Sequence, residues 1–427
     1  MAHVVVLGAG LGGSIMAYEL QQQLRSEDRI TVVTRDPTYH FVPSNPWVAV
    51  GWRTRSHISA DLAPTMQRLG FAFRTVPATR LVLAENRVEL ADGTALDYDY
   101  LVVATGPELA FDEIEGFGPE GHTQSICHVD HAEAAHAAFE RFCENPGPIV
   151  VGAAQGASCF GPAYEFAFIL DAALRRRRIR DRVPMTFVTS EPYIGHLGLD
   201  GVDDTKGLLE SALRSRHIKW ITSARISRVE AGMMHVEEVS EGGATKPHAL
   251  PFGYAMMLPA FRGGEGLSRA SRGSRTRAAS PSSILTSATP PSPTSSPVGV
   301  CVAIPPMGVT PVPVGVPKTG FMIESMVTAT AHNIGALVRG KEPDEVATWK
   351  AVCLADFGDR GIAFIAQPQI PPRNVNWSAE GRWVHFAKIA FEKYFLRKVK
   401  LGTAEPLYEW AAMKMLGIDK LKAARKG

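Results

Sequence analysis

The chain has 427 residues, enough for two or three domains with sizeable cores. Charged side chains make up 21% and hydrophobic ones 45%, which excludes a disordered or fibrous chain. A net charge of +2 from 45 basic and 43 acidic residues excludes a nucleic-acid binder with a dominant basic surface. The five cysteines, at 127, 143, 159, 301 and 353, form no C-x-x-C pair and are too few for a disulfide scaffold. No apolar run reaches the roughly 18 residues of a spanning helix. The N-terminal apolar residues run straight into a glycine motif, so no signal peptide is expected.

His3–Leu7 reads as a buried parallel strand, followed by Gly8-Ala9-Gly10-Leu11-Gly12-Gly13, a helix to about Leu24 and a second strand over Ile30–Thr34. This strand–turn–helix–strand unit is a dinucleotide-binding module. Gly8 permits the tight turn, Gly10 the approach of a pyrophosphate, and Gly13 close packing of helix on strand, with Gly12 in the same turn. The anion is then expected on the helix N-terminus. The acid that usually holds the ribose is missing; Thr34 and Arg35 stand there instead, and the Thr34 hydroxyl is the substitute ligand.

A strand over 98–103 leads into Ala104-Thr105-Gly106, a pattern that resembles the FAD-contacting segment of flavoproteins with two dinucleotide domains. A second unit follows: strand Pro148–Val151, turn Gly152 to Gly161, helix from Pro162 to about Arg178, strand Thr186–Thr189. Its turn lacks G-x-G-x-x-G, so it is expected no longer to bind a pyridine nucleotide, and Cys159 sits in it. Just before a helix N-terminus, that thiol is expected to have a depressed pKa and thiolate character, the alternative being a buried structural cysteine. Arg175–Arg178 reads as a solvated helix end. Cys127 has His128 and His131 beside it, but one thiol without a second Cys/His pair gives no zinc set. Cys143 and Cys301 read as structural.

Residues 268–297 hold ten Ser, five Pro and only two large apolar residues, Ile284 and Leu285. Such a stretch cannot bury enough surface to fold by itself. Residues 263–298 are read as an aberrant low-complexity segment produced by a slipped reading frame, interrupting a fold that needs a strand there. Residues 381–427 carry eleven basic and four acidic side chains, net +7, interleaved with Trp383, Phe386, Phe391, Leu407 and Trp410. Basic amphipathic helices of this kind lie on anionic membrane surfaces, the competing reading being a homo-oligomer interface.

Taken together, the Gly8–Gly13 turn, Phe41-Val42-Pro43-Ser44-Asn45-Pro46-Trp47, Gln124–Cys127, Gly156–Glu165, Ser190–His196, Pro311–Gly320, the Cys353 loop and Arg382–His385 resemble the sulfide:quinone oxidoreductases nearly throughout, failing only over about 263–298. The resemblance implies an α/β fold: a discontinuous FAD-binding domain (1–115 and 299–370), a second Rossmann-like domain (116–262) and C-terminal membrane-associating helices (371–427). It implies oxidation of hydrogen sulfide through a Cys159–Cys353 redox pair and FAD, with electrons passed to a membrane quinone and sulfur released as polysulfide. Cys127 is then the third cysteine, and Glu165, His131 and His196 are candidates for proton transfer. Lys318 lies at the pyrimidine edge of the flavin, Pro43 and Asn45 along its ring, and Phe391 and Tyr408 in the quinone pocket. The expected location is peripheral, on the cell membrane. Two alternatives stand: a type-2 NADH:quinone oxidoreductase, and a flavin-free pseudoenzyme if residues 263–298 are genuine.

Overall fold

The computed structural model describes residues 1–262, 294–302, 304–415 and 417–422. The first sheet is parallel, its strands in the order Ser295–Pro297, Tyr100–Val103, His3–Leu7, Arg29–Val33 and Ala72–Arg74. The valines and leucine of His3–Leu7 are buried on both faces, as a central parallel strand requires. Helix Leu11–Gln23 follows with its N-terminus uncapped by any side chain, and packs against helix Gly320–Val338, to which Glu19 is joined by the Thr328 hydroxyl at 2.8 Å.

Ser295–Pro297 corrects one expectation. Residues 263–293 lie outside the described residues, but Ser295, Ser296 and Pro297 pair in parallel register with Leu101, Val102 and Val103. The strand that the fold needs is therefore present inside the stretch read as aberrant. Its serines and proline conceal it in the sequence; at the sheet edge the missing amide of Pro297 costs no ladder bond.

A second parallel sheet runs in the order Ile218–Ile221, Met185–Thr189, Ile149–Ala153 and Tyr254–Leu258, beside the antiparallel strands Ala224–Glu230, Met233–Val239 and Thr245–Pro251. One apolar core joins both halves, running from Val6 and Ile15 through Trp47 and Phe160 to Phe166 and Phe187. A third, antiparallel sheet of Ala351–Asp356, Gly361–Gln367 and Val375–Gly381 carries Cys353. Its last strand lies within the segment expected to be helical from 371, so the C-terminal helices begin only at Arg382, as Arg382–Leu401 and Leu407–Met415. The tail returns to the body where Lys422 and Thr348 exchange backbone bonds with Val346 and Lys420, at 2.8 and 3.1 Å.

Gly13 shows how tightly the first turn is built: a Cβ added there falls 1.9 Å from the Gly8 carbonyl oxygen. Gly13→Ala is expected to lower stability by at least about 2 kcal/mol, seen as a shifted denaturant midpoint. An unchanged midpoint contradicts this packing.

Candidate active site

Three elements converge on the cysteines. Cys159 lies two residues before helix Gly161–Arg176, and Cys353 lies in strand Ala351–Asp356, opposite Phe364. The helix clamps that strand at three points. Asp356 N donates to Glu165 Oε1 at 3.1 Å, Arg176 donates to the Gly358 carbonyl at 3.0 Å, and the Phe168 and Phe357 rings lie 4.2 Å apart. The result brings Cys159 and Cys353 close enough that ionisation of one opposes ionisation of the other, and Cys127 acts on Cys159 in the same way. All three cysteines are free; the residues are partly exposed, but their thiol groups are buried.

Burial pushes the Cys159 and Cys353 thiols up to about 12 and Cys127 up to about 11. This corrects the expectation of a depressed Cys159 pKa: desolvation outweighs the helix terminus. Two cations counter it in part, Lys318 beside Cys159 and Lys388 beside Cys353. Burial in turn lowers the Lys318 pKa, and no carboxylate pairs with this lysine among the described residues.

The long helix Arg382–Leu401 completes the site, although the sequence pointed to it only as a membrane element. Lys388 is buried and donates to Glu165 Oε1. His385 Nδ1 lies 2.7 Å from Asp356 Oδ1, and Trp47 Nε1 donates to Asp356 Oδ2 at 2.8 Å. Glu392, also buried, accepts from Arg53 at 3.0 Å and from the Ser44 hydroxyl. Burial pushes the Glu165 carboxyl up, and the Lys388 charge pulls against it. His385, Lys388 and Glu392 recur at the three- and four-residue spacing of one helix face. That spacing was available in the sequence, but polar residues at such positions read as a solvated face.

The proton-transfer candidates are placed differently. Glu165 joins the cysteine clamp. His131 Nδ1 lies 3.3 Å from Ser125 Oγ, which accepts from the Cys127 amide at 3.1 Å, so His131 is tied to Cys127 through Ser125. His196 Nδ1 accepts from Gly198 N at 3.2 Å and its ring meets Tyr193, with no hydrogen bond to the cysteine segments among the described residues. Burial lowers the pKa of both histidines. Phe391 packs edge-on against Phe41 at 5.7 Å, and Phe391 and Tyr408 both meet the Tyr394 ring, at 6.2 and 5.7 Å.

The first half fits a bound dinucleotide flavin. A Cβ added at Gly10 or Gly106 meets nothing within 4 Å, which leaves room for a ligand over the uncapped helix N-terminus and beside Ala104-Thr105-Gly106. Asn45 donates to the Ile126 carbonyl at 2.8 Å, while its own buried Oδ1 has no partner among the described residues. Pro43, next to this segment, is exposed. The Thr34 hydroxyl already donates to the Asp36 carbonyl at 2.9 Å, which leaves it only an acceptor for a ribose.

Fold and site thus define a flavoprotein of the disulfide-reductase type, built on two dinucleotide-binding folds. Residues 2–246 match the family described as pyridine nucleotide-disulphide oxidoreductase. The sulfide-quinone reductase of Aquifex aeolicus is 40% identical over 410 residues, covering 95% of this chain and 93% of that protein. The mitochondrial sulfide:quinone oxidoreductase of Dictyostelium discoideum is 27% identical over 188 residues, 43% of this chain and 41% of that one. The X-ray structure of the Aquifex aeolicus sulfide:quinone oxidoreductase superposes with a TM-score of 0.91 at 37% identity, covering 100% of this chain and 99% of that one. NDH2 of Plasmodium falciparum superposes over 99% of this chain and 100% of its own with a TM-score of 0.70 at 13% identity, a likeness of fold alone. The chain belongs to the sulfide:quinone oxidoreductase family.

Removing one member of a buried ion pair strands the other. Lys388→Met is expected to cost about 3–5 kcal/mol in unfolding free energy, and adding Glu165→Leu to restore most of it. Equal stability of the single variant and the wild type in denaturant unfolding contradicts the pairing.

Proposed function

We propose that the protein is an FAD-dependent sulfide:quinone oxidoreductase whose redox pair is Cys159 and Cys353. The observation that carries this reading is the clamp that sets Cys353 beside Cys159 with Cys127 next to them, in a chain akin over nearly its full length to the Aquifex aeolicus sulfide-quinone reductase. In the oxidised protein the two cysteines are linked through sulfur. Hydrosulfide attacks one sulfur of that link, a new S–S bond forms, the old one breaks, and the displaced cysteine leaves as a thiolate holding the electron pair. Lys318 and Lys388 favour that thiolate against the cost of burial. Glu165 takes up the proton of the incoming hydrosulfide, which frees the Lys388 charge to act on the thiolate, while His131 serves the Cys127 side. The bound FAD supplies the two-electron link between sulfide and quinone. Gly8, Gly10, Gly12 and Gly13 would cradle its pyrophosphate, Thr34 would accept from its ribose, Asn45 and Pro43 would line its ring, and Lys318 would supply a positive charge beside that ring.

The quinone enters beside Phe391 and Tyr408 from a bilayer. Trp383, Phe386, Phe391, Leu407, Trp410 and Met415 are exposed, flanked by the exposed cations Lys393, Arg397, Lys400 and Lys414. No helix among the described residues is long and apolar enough to cross a membrane. These helices bind an anionic bilayer surface in the interface plane, which makes the protein peripheral. Three lysines counted in the basic tail, Lys388, Lys398 and Lys420, are buried and ion-paired, so the surface that meets lipid is less basic than the sequence total.

Reduction of a short-chain quinone by flavin-loaded protein tests the reading. Sulfide is expected to drive it and NADH is not, and Cys353→Ser is expected to slow it by at least about 10³-fold. Equal rates for wild type and variant refute the redox pair, and turnover with NADH but not sulfide favours the NADH:quinone alternative.

A further inference from the structure

A second buried cluster of charges lies under the proposed quinone entrance and takes no part in the sulfide chemistry. Glu324 comes from helix Gly320–Val338, Tyr394 and Lys398 from helix Arg382–Leu401, Glu409 from helix Leu407–Met415, and Glu405 and Lys420 from the segments on either side of that short helix. Lys398 Nζ donates to Glu324 Oε2 and Glu409 Oε2, both at 2.9 Å. Lys420 Nζ stands 3.1 Å from Glu324, 3.2 Å from Glu405 and 3.4 Å from Glu409. Tyr39, from strand Thr38–His40, adds its hydroxyl near Glu324. The Tyr394 hydroxyl is bonded to Glu409 Oε2.

Glu324 and Glu409 are buried with Lys398 and Lys420, and Glu405 adds a third carboxyl at the partly exposed edge, so three carboxyl groups face two ammonium groups. A buried, uncompensated charge is costly, and neutralisation is the cheaper outcome. Lys398 and Lys420 overcome the burial of Glu324 and hold its pKa below the usual carboxylate range. Burial and the Glu324 charge push Glu409 up to about 8. The proton therefore rests on Glu409, the carboxyl bonded to Tyr394, whose ring meets both Phe391 and Tyr408.

We propose that Tyr394 and Glu409 form the proton relay that serves the quinone. The proposal rests on the quinone reading above. Quinone becomes quinol by taking up an electron pair, which that reaction provides, and two protons. Tyr394 gives its hydroxyl proton to a quinone oxygen, and Glu409 passes its carboxyl proton to the Tyr394 oxygen. The Glu409 carboxylate remains paired with Lys398 until it is re-protonated from the water that reaches the Glu405 edge, where Lys420 joins Glu405, 30% exposed, to Glu409. A second passage delivers the second proton. Tyr394 is the donor at the substrate, and Glu409 is a positioning residue that reloads it.

Two half-reactions separate this proposal from the one it rests on. Flavin-loaded protein is reduced anaerobically with sulfide and then mixed with a short-chain quinone at a series of pH values. In the wild type, re-oxidation by quinone is expected to slow as pH rises through about 8. Tyr394→Phe is expected to slow re-oxidation by about 10²-fold. Glu409→Gln keeps a bond to Tyr394 and removes the surplus charge, so it folds; its re-oxidation is expected to be slow and flat across that pH range. Reduction by sulfide keeps its wild-type rate in both variants. Infrared spectroscopy of the resting protein at neutral pH is expected to show a protonated carboxyl band that Glu409→Gln lacks. Wild-type re-oxidation rates and pH profile in both variants, or no such band in the wild type, overturn the relay. Failure of sulfide to reduce the wild-type flavin overturns the proposed function instead.

Discussion

The buried Lys388–Glu165 pair is the constraint on which the site depends. It joins the helix that follows Cys159 to the long C-terminal helix, and the same Glu165 oxygen accepts from the backbone of the Cys353 strand at Asp356. Three segments far apart in sequence are thus fixed at one carboxylate. A buried ion pair adds little net stability over a well-packed apolar substitute, but it is costly to break. Its value here is positional: it admits one arrangement of helix, strand and helix, and that arrangement brings the two thiols together.

The long C-terminal helix therefore serves two environments at once. Its inner face carries His385, Lys388, Glu392 and Lys398, each bonded to a partner in the body or the tail. Its outer face carries Trp383, Phe386 and Phe391, exposed beside Lys393 and Arg397. The element that carries these exposed rings and cations is also the element that fixes the cysteine strand from behind. Its buried charged face and its exposed aromatic face consequently share one rigid support. A second set of buried charges, Glu324, Glu409, Lys398 and Lys420, joins the same helix to helix Gly320–Val338 and to the tail.

Much of this was legible in the sequence wherever a local rule applies. The Gly8–Gly13 turn is readable because each glycine answers a steric demand within a few residues, and the valine run before it has one use in a parallel sheet. Cys159 was singled out by its place before a helix, and its pairing with Cys353 followed only from the family resemblance. The edge strand Ser295–Pro297 was hidden because its residues favour turns, and its pairing with Leu101–Val103 is set by a partner nearly two hundred residues away. Lys388 went unread for the same reason: a charged residue on a helix looks solvated until its buried partner, here Glu165, is known. The thiol pKa values reversed because a helix terminus is visible in sequence, whereas the desolvation that outweighs it belongs to the fold.

The central claim is that Cys159 and Cys353 face one another as a sulfur-bridged pair, and it is tested most directly by mass spectrometry of the oxidised protein digested without reduction. The account predicts a cross-linked product joining the Cys159 and Cys353 peptides, heavier than a simple disulfide by whole sulfur atoms after turnover with sulfide and excess quinone. Recovery of both cysteines as free thiols, or of Cys353 joined to another cysteine, contradicts it.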